Sequence, residues 1–207
     1  MLKIGITGGI GSGKSTVCRL FEKLEIPVYY ADDRAKLLMH EDAVLRKQLI
    51  EVFGSNVFGT DGTLDRGYLS GIVFKDPRQL TKLNAIVHPA VFEDAKAWQT
   101  LQAQKGCLYT LKEAALLYET GSYKSLDKII VVTAPESVRI QRVMARDKIS
   151  KEAVLARINK QMPQAEKVKR ADYVVQNIAW ETLNIQVSEI DEHLRYLAKV
   201  PPKKSSN

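Results

Sequence analysis

The segment GITGGIGSGKST, residues 5–16, limits the fold of this chain more than any other stretch. Within it Gly8, Gly13, Lys14 and Ser15 satisfy the spacing G-x-x-x-x-G-K-[ST], a phosphate-binding loop that works only between a strand and a helix. Both neighbours are legible. Leu2, Ile4 and Ile6 make a short apolar run that opens the chain as a strand. Val17, Leu20, Phe21 and Leu24 then recur at helical spacing until Pro27 closes the segment. Glycines let backbone N–H groups turn inward around phosphate oxygens, and the N-terminus of the following helix adds favourable dipole charge. Gly8, Gly9, Ile10, Gly11, Ser12, Gly13, Lys14, Ser15 and Thr16 are therefore expected to bind a nucleoside triphosphate. Lys14 would reach its β- and γ-phosphates and the Ser15 hydroxyl would ligate Mg²⁺.

Further along, "IPVYYAD" (residues 26–32) reads as a second strand ending in carboxylates, "CLYTL" (107–111) as a third and "YVVQN" (173–177) as a fifth. The fourth, "KIIVVTA" (128–134), is a continuous β-branched run of the kind that parallel sheets bury on both faces. Helical spacing fills the gaps, so the chain predicts a parallel sheet covered by helices on both sides. The span between the second and third strands exceeds one crossover helix. It predicts an inserted helical region at the carboxyl ends of the strands, where such sheets bind ligands. The expected division is a nucleotide-binding core of residues 1–31, 105–134 and 170–200, a helical acceptor region of 32–104, a lid of 135–169 and a disordered tail of 201–207.

At 207 residues the chain is long enough for one sizeable core with insertions. No long apolar span or leader is visible, so no membrane partner is expected. Cys18 and Cys107 give no disulfide framework and fit a reducing compartment, the cytoplasm. The net charge of +7 admits nucleic acid as a partner, yet part of it belongs to the lysine-bearing tail and no aromatic-basic RNA signature accompanies it. No N-K-x-D stretch specifies guanine, and Asp127 precedes the "IIVV" strand where a Walker-B aspartate would follow it. These absences count against a nucleotide switch, a motor ATPase and a nucleic-acid-binding regulator.

Transfer of a γ-phosphate to a hydroxyl requires a group that accepts the hydroxyl proton. Asp32 and Asp33 end the second strand, which is expected beside the phosphate-loop strand. Either aspartate is placed to serve, with a helix N-cap as the alternative role. Arg139, Arg142 and Arg146 fall within roughly 60° of one helix face, the spacing of a lid that closes over a nucleotide or of a solvated basic surface.

"GITGGIGSGKST…IPVYYADDRAK" resembles the opening of the dephospho-coenzyme A kinases, whose phosphate loop is followed by a strand ending Asp-Ala-Asp. Tyr30 stands at the first aspartate, Ala31 at the alanine and Asp32 at the second aspartate. "LNAIVHPAVFED" resembles that family's Ile-x-His-Pro segment at His88 and Pro89. "KEAALLYETGSY" resembles its Pro-Leu-Leu-Phe-Glu stretch, with Glu119 in place, Ala115 for Pro and Glu113 for the usual Asp. "APESVRIQRVMARDKIS" matches the lid at Arg142, Arg146 and Asp147, and the run to residue 177 supplies Arg157, Gln161, Asp172 and Asn177.

The resemblance implies a three-layer α/β P-loop NTPase fold, nucleotide-monophosphate-kinase-like, with an inserted helical substrate region and a helical lid. It also implies transfer of the ATP γ-phosphate to the 3′-hydroxyl of dephospho-coenzyme A. Asp32 becomes the general base, with Lys14 and Arg142 as its catalytic partners. Arg142, Arg146 and Asn177 go to the nucleotide, and His88, Glu119 and Arg157 to the substrate. Holding the lid is the alternative for Glu119; reaching the nucleotide or pairing with Glu152 or Glu166 is the alternative for Arg157. Arg139 departs from the family pattern and is expected at the surface. The expected partner is the small-molecule acceptor alone, bound by a monomer or weak homo-oligomer. A kinase of another small acceptor, such as a nucleoside monophosphate, is the alternative.

Overall fold

The computed structural model describes residues 1–73 and 75–200, which form two units. One comprises Met1–Tyr29 and the chain from Gln99 onward; the other is Tyr30–Trp98.

The first unit is built on five strands: β1 (Leu2–Thr7), β2 (Val28–Tyr30), β3 (Tyr109–Glu113), β4 (Lys128–Thr133) and β5 (Tyr173–Gln176), in the order β2-β3-β1-β4-β5. The pairs β1–β3, β1–β4 and β4–β5 are parallel. Ile4 and Ile6 of β1 and Ile130, Val131 and Val132 of β4 are fully buried. The unbroken apolar run of β4 thus follows from cover on both faces, each such side chain contributing about 1.5–3 kcal/mol of burial.

One layer of that cover includes α1 (Lys14–Lys23), with Val17, Cys18, Leu20 and Phe21 buried, and α9 (Trp180–Lys199), with Leu183, Val187, Ile190 and Leu194 buried. Asp191 is buried in the same α9 stripe because it accepts the Tyr109 hydroxyl at 2.6 Å and pairs with Arg195 at 2.8 Å. Another cluster joins Leu117, Tyr118, Ile129 and Val131, against which Met162, Val168 and Ala171 pack. α6 (Glu136–Asp147) and α7 (Lys151–Ile158) share a small core of Ile140, Val143 and Val154; Ser150 caps α7 through the N–H of Ala153. The short α8 (Gln164–Lys169) returns the chain to β5.

The second unit holds α2 (Ala31–Glu41), α3 (Ala43–Phe53), α4 (Arg66–Val73) and the part of α5 (Pro77–Gln104) that ends at Trp98. Its buried apolar residues include Leu45, Leu49, Phe53, Val57, Leu69, Val87, Val91 and Ala95. Arg34 grips Asp94 by two hydrogen bonds of 3.0 and 2.7 Å, tying α2 to α5. α5 is 28 residues long and runs through Pro89.

Three expectations change. β1 has β3 and β4 as its neighbours, so the strand leading to the aspartates is separated from the phosphate-loop strand by β3. β2 ends at Tyr30, and Asp32 and Asp33 already belong to the first turn of α2. Neither aspartate caps the helix. Tyr30 occupies the N-cap without a side-chain hydrogen bond, and Asp33 pairs with Lys36 at 2.7 Å. Both carboxylates still gain from the positive end of the helix dipole. The expected 201–207 tail lies outside the described residues.

Candidate active site

Gly13 adopts φ 86° at the N-cap of α1, a left-handed conformation that side chains other than glycine's disfavour, and the loop turns there into the helix. Lys14, the next residue, extends its ammonium back along the loop, donating to the Gly8 carbonyl at 3.3 Å. It also faces the carboxylate of Glu113 at 3.8 Å; the Glu113 side chain is 9% exposed. Ser15 is exposed in the first turn of the same helix.

Glu113 is the acidic residue missed in reading the sequence. On β4 the nearest carboxylate in sequence, Asp127, precedes the strand. It accepts the Lys3 N–H at 2.7 Å, at the opposite end of the strands. The acid arrives on β3, the other neighbour of β1, where Glu113 is in register with Ile6. The sequence signal was present: Glu113 opens the stretch that precedes Leu116, Leu117 and Glu119.

The outer arm of the loop is held from two sides. Asn177, just past β5, donates its side-chain N–H to the Ser12 carbonyl at 2.9 Å. Gln161 accepts the N–H of Ile10 at 2.9 Å, and the Ile10 side chain packs on the α6–α7 core. Arg142 donates to the Asn177 carbonyl at 3.2 Å, while its Nη1 is buried without a hydrogen-bond partner among the described residues. The phosphate loop, Glu113, Arg142 and Asn177 thus converge.

The other candidates are distributed differently. Arg146 and Arg157 are exposed, and both engage Asp147, at 2.7 and 2.6 Å; Glu152 and Glu166 are not the partners of Arg157. The hydrogen bond from Arg146, reinforced by Arg157, holds the Asp147 carboxyl below its ordinary range. Glu119 accepts hydrogen bonds from the Lys167 ammonium at 2.9 Å and the Met162 N–H at 2.8 Å. Burial pushes its pKa up, but these bonds together outweigh burial and leave it lowered. Lys167 is fully buried and also donates to the Ala115 carbonyl at 3.2 Å. Asp32 and His88 are exposed residues of the second unit, on α2 and α5.

Arg139 is not at the surface. It is 5% exposed and lies against Gly9, because α6 packs the backbone at Arg139 directly under Gly11. Helical spacing places three arginines on one face, but their burial falls along the axis: Arg139 is buried, Arg142 half-buried and Arg146 exposed.

A family model for dephospho-CoA kinase matches residues 2–181. A dephospho-CoA kinase of Salinibacter ruber is 44% identical over 177 residues, covering 86% of this chain and 89% of that one. One from Bacteroides fragilis is 38% identical over 190 residues, 91% of each chain. Among solved structures, TT1252 from Thermus thermophilus is 35% identical with a TM-score of 0.81, covering 93% of this chain and 96% of that one. A dephospho-CoA kinase from Campylobacter jejuni is 26% identical with a TM-score of 0.71, covering 94% and 97%.

Proposed function

The chain belongs to the dephospho-CoA kinase family, which carries out the last step of coenzyme A biosynthesis, and from that premise we propose how its residues divide the work of phosphoryl transfer. The donor is ATP and the acceptor is the ribose 3′-hydroxyl of dephospho-CoA. The observation that carries the donor half is the loop on β1 and α1, with Lys14 set between the Gly8 carbonyl and Glu113. Phosphoryl transfer asks little covalent chemistry of a protein; it needs position and charge. Loop N–H groups other than those of Ile10, Ser12 and Thr16, which bond to Gln161, Gly9 and Gly13, supply donors fixed before the substrate arrives. Lys14 places a cation where negative charge shifts between the β- and γ-phosphates. Arg142, held by the Asn177 carbonyl, keeps a second cation beside the loop with one N–H to give.

The Ser15 hydroxyl and the Glu113 carboxylate are the hard oxygens on α1 and β3 that would hold Mg²⁺, with water completing its shell. Bound there, Mg²⁺ would neutralise phosphate charge. Glu113 also keeps Lys14 aligned through their ion pair.

Asp32 is the proposed general base. The resemblance of the Tyr-Ala-Asp stretch supports that role, together with the exposure of Asp32 on the first turn of α2. Its task is to accept the proton of the 3′-hydroxyl as the oxygen attacks phosphorus. His88 is proposed to border the acceptor. The arrangement around Glu119 supports an anchoring role: with Lys167 it fixes the connection between α7 and α8, and so the root of the lid. Arg146 and Arg157, joined through Asp147, are proposed to reach ATP when the lid closes. We place the protein in the cytoplasm, in keeping with its free Cys18 and Cys107; among the described residues no helix is long and apolar enough to cross a membrane.

Steady-state assays with Mg-ATP and a panel of acceptors test the whole reading. Turnover should be confined to dephospho-CoA, with ADP and coenzyme A as products. Comparable kcat/KM on adenosine or cytidine monophosphate would overturn the acceptor assignment.

A further inference from the structure

We infer that Arg139 is a positioning residue for the donor phosphates, a buried cation that holds the outer arm of the phosphate loop in its binding shape. Neither the loop motif nor the lid pattern includes this position. The motif fixes the loop where Gly13 enters α1; the Ser12 N–H bonds to the Gly9 carbonyl at 3.0 Å and Gln161 takes the Ile10 N–H, but neither contact closes over the faces of Gly9 and Gly11. One residue of α6 does so twice. A Cβ on Gly9 would lie 2.4 Å from Arg139 Nη1, and one on Gly11 would lie 2.5 Å from the Arg139 carbonyl oxygen. The guanidinium therefore covers Gly9 while the backbone of the same residue supports Gly11. The shape of this arm and the position of α6 are set together.

The charge is poorly compensated in the protein alone. Its ion partner is Glu136, at 3.5 Å through Nη2, and the Glu136 side chain is 61% exposed. Nε is buried without a hydrogen-bond partner among the described residues. The side-chain carbonyl of Gln164 has none either and lies 3.7 Å from the same Gly9 Cβ position. Gly9, Arg139 and Gln164 line one cavity of about 730 Å³ beside the loop. Burial lowers the guanidinium's pKa, the direction expected of a cation short of counter-charge. A guanidinium stays charged even so, and burying one with so little return is expensive. The compensating charge arrives with the nucleotide: a triphosphate in the loop places several negative charges next to Gly9, where low dielectric strengthens the attraction. Arginine is needed for the geometry as well as the charge. A lysine ammonium can supply the charge but lacks the planar fork that lies across Gly9.

This inference rests on the donor-site reading above, and the test separates the two. Dissociation constants for ATP, ADP and AMP are measured by calorimetry for the wild type, Arg139→Met, Arg139→Lys and Lys14→Ala, with a thermal melt of each. Arg139→Met keeps the bulk of the stem and removes the charge. It should weaken ATP about tenfold and ADP less, and leave AMP unchanged, with Arg139→Lys between it and the wild type. An unchanged ATP constant in Arg139→Met, alongside a large loss in Lys14→Ala, overturns the inference alone. Equal weakening of all three nucleotides also overturns it, because a merely structural residue does not count phosphates. If Lys14→Ala binds ATP as the wild type does, the donor-site reading fails and takes this inference with it.

Discussion

Two lysine–glutamate pairs flank the segment that leaves β3, and they are built differently. Lys167 and Glu119 meet at 2.9 Å; the lysine is fully buried, and both partners make further hydrogen bonds to backbone, at Ala115 and Met162. Lys14 and Glu113 stand 3.8 Å apart, an ion pair beyond direct hydrogen-bond length, and Lys14 also donates to the Gly8 carbonyl of the phosphate loop. A short pair saturated by backbone has a single arrangement and serves as a fastening. The longer pair beside the phosphate loop is the one proposed to meet a ligand. The Ala115 carbonyl, which accepts from both Thr7 and Lys167, lies two residues beyond Glu113, so the fastening sits directly behind the working pair.

The largest expected effect is on the proton transfer proposed for Asp32. Asp32→Asn should lower turnover by roughly 10²–10⁴ with little change in ATP affinity, the usual contribution of a general base. Turnover and ATP dissociation constants check this. Asp33→Asn is the control; greater damage there would move the base by one residue.

Glu113→Gln tests the working pair directly. It should lower turnover by about 10²-fold, the scale of one lost electrostatic contact, while the melting temperature stays within a few degrees. A large melting shift with preserved turnover would make Glu113 a second fastening and collapse the contrast.

Lys167→Met should do the reverse. Removing one partner of a buried pair strands the other, here at a cost of about 3 kcal/mol because Glu119 keeps partial solvent contact. For a chain of this size that corresponds to a fall in melting temperature of roughly 6–12 °C. The surviving folded fraction should retain most of its turnover.

The smallest effect is on the acid side of the stability profile. Glu119 has a lowered pKa in the folded protein. Its contribution is therefore present above the unfolded carboxyl pKa and is lost as pH falls through the folded value. In Glu119→Gln, denaturant midpoints measured across that acid window should fall less steeply than in the wild type. An unchanged slope would show that the Lys167 bond does not hold the carboxylate.

Within the working pair, Lys14 and its loop were legible in the sequence because their determinants are local. A glycine-rich loop dictates its own backbone, and β4 announces burial by an unbroken run of Ile and Val. The fastening was not legible, since nothing in "QAEKVKR" distinguishes the buried Lys167, which meets Glu119, from the exposed Lys169 about half a turn further on. Arg139 escaped for the same reason: helical spacing gives a face but not its distance from the core, and only the seating of α6 under Gly11 reveals the burial. Glu113 was overlooked because strand order is long-range information. The expectation set the second strand beside β1, whereas the neighbours of β1 are β3 and β4, and β3 carries the acid.

The central claim is that the pair at Lys14 performs chemistry while the pair at Lys167 performs fastening. The most direct measurement is the rate of coenzyme A formation from dephospho-CoA and Mg-ATP by folded Lys14→Ala protein. Loss of about 10³-fold or more in turnover, at a melting temperature near that of the wild type, is the predicted result. Near wild-type turnover from a folded Lys14→Ala protein would contradict it.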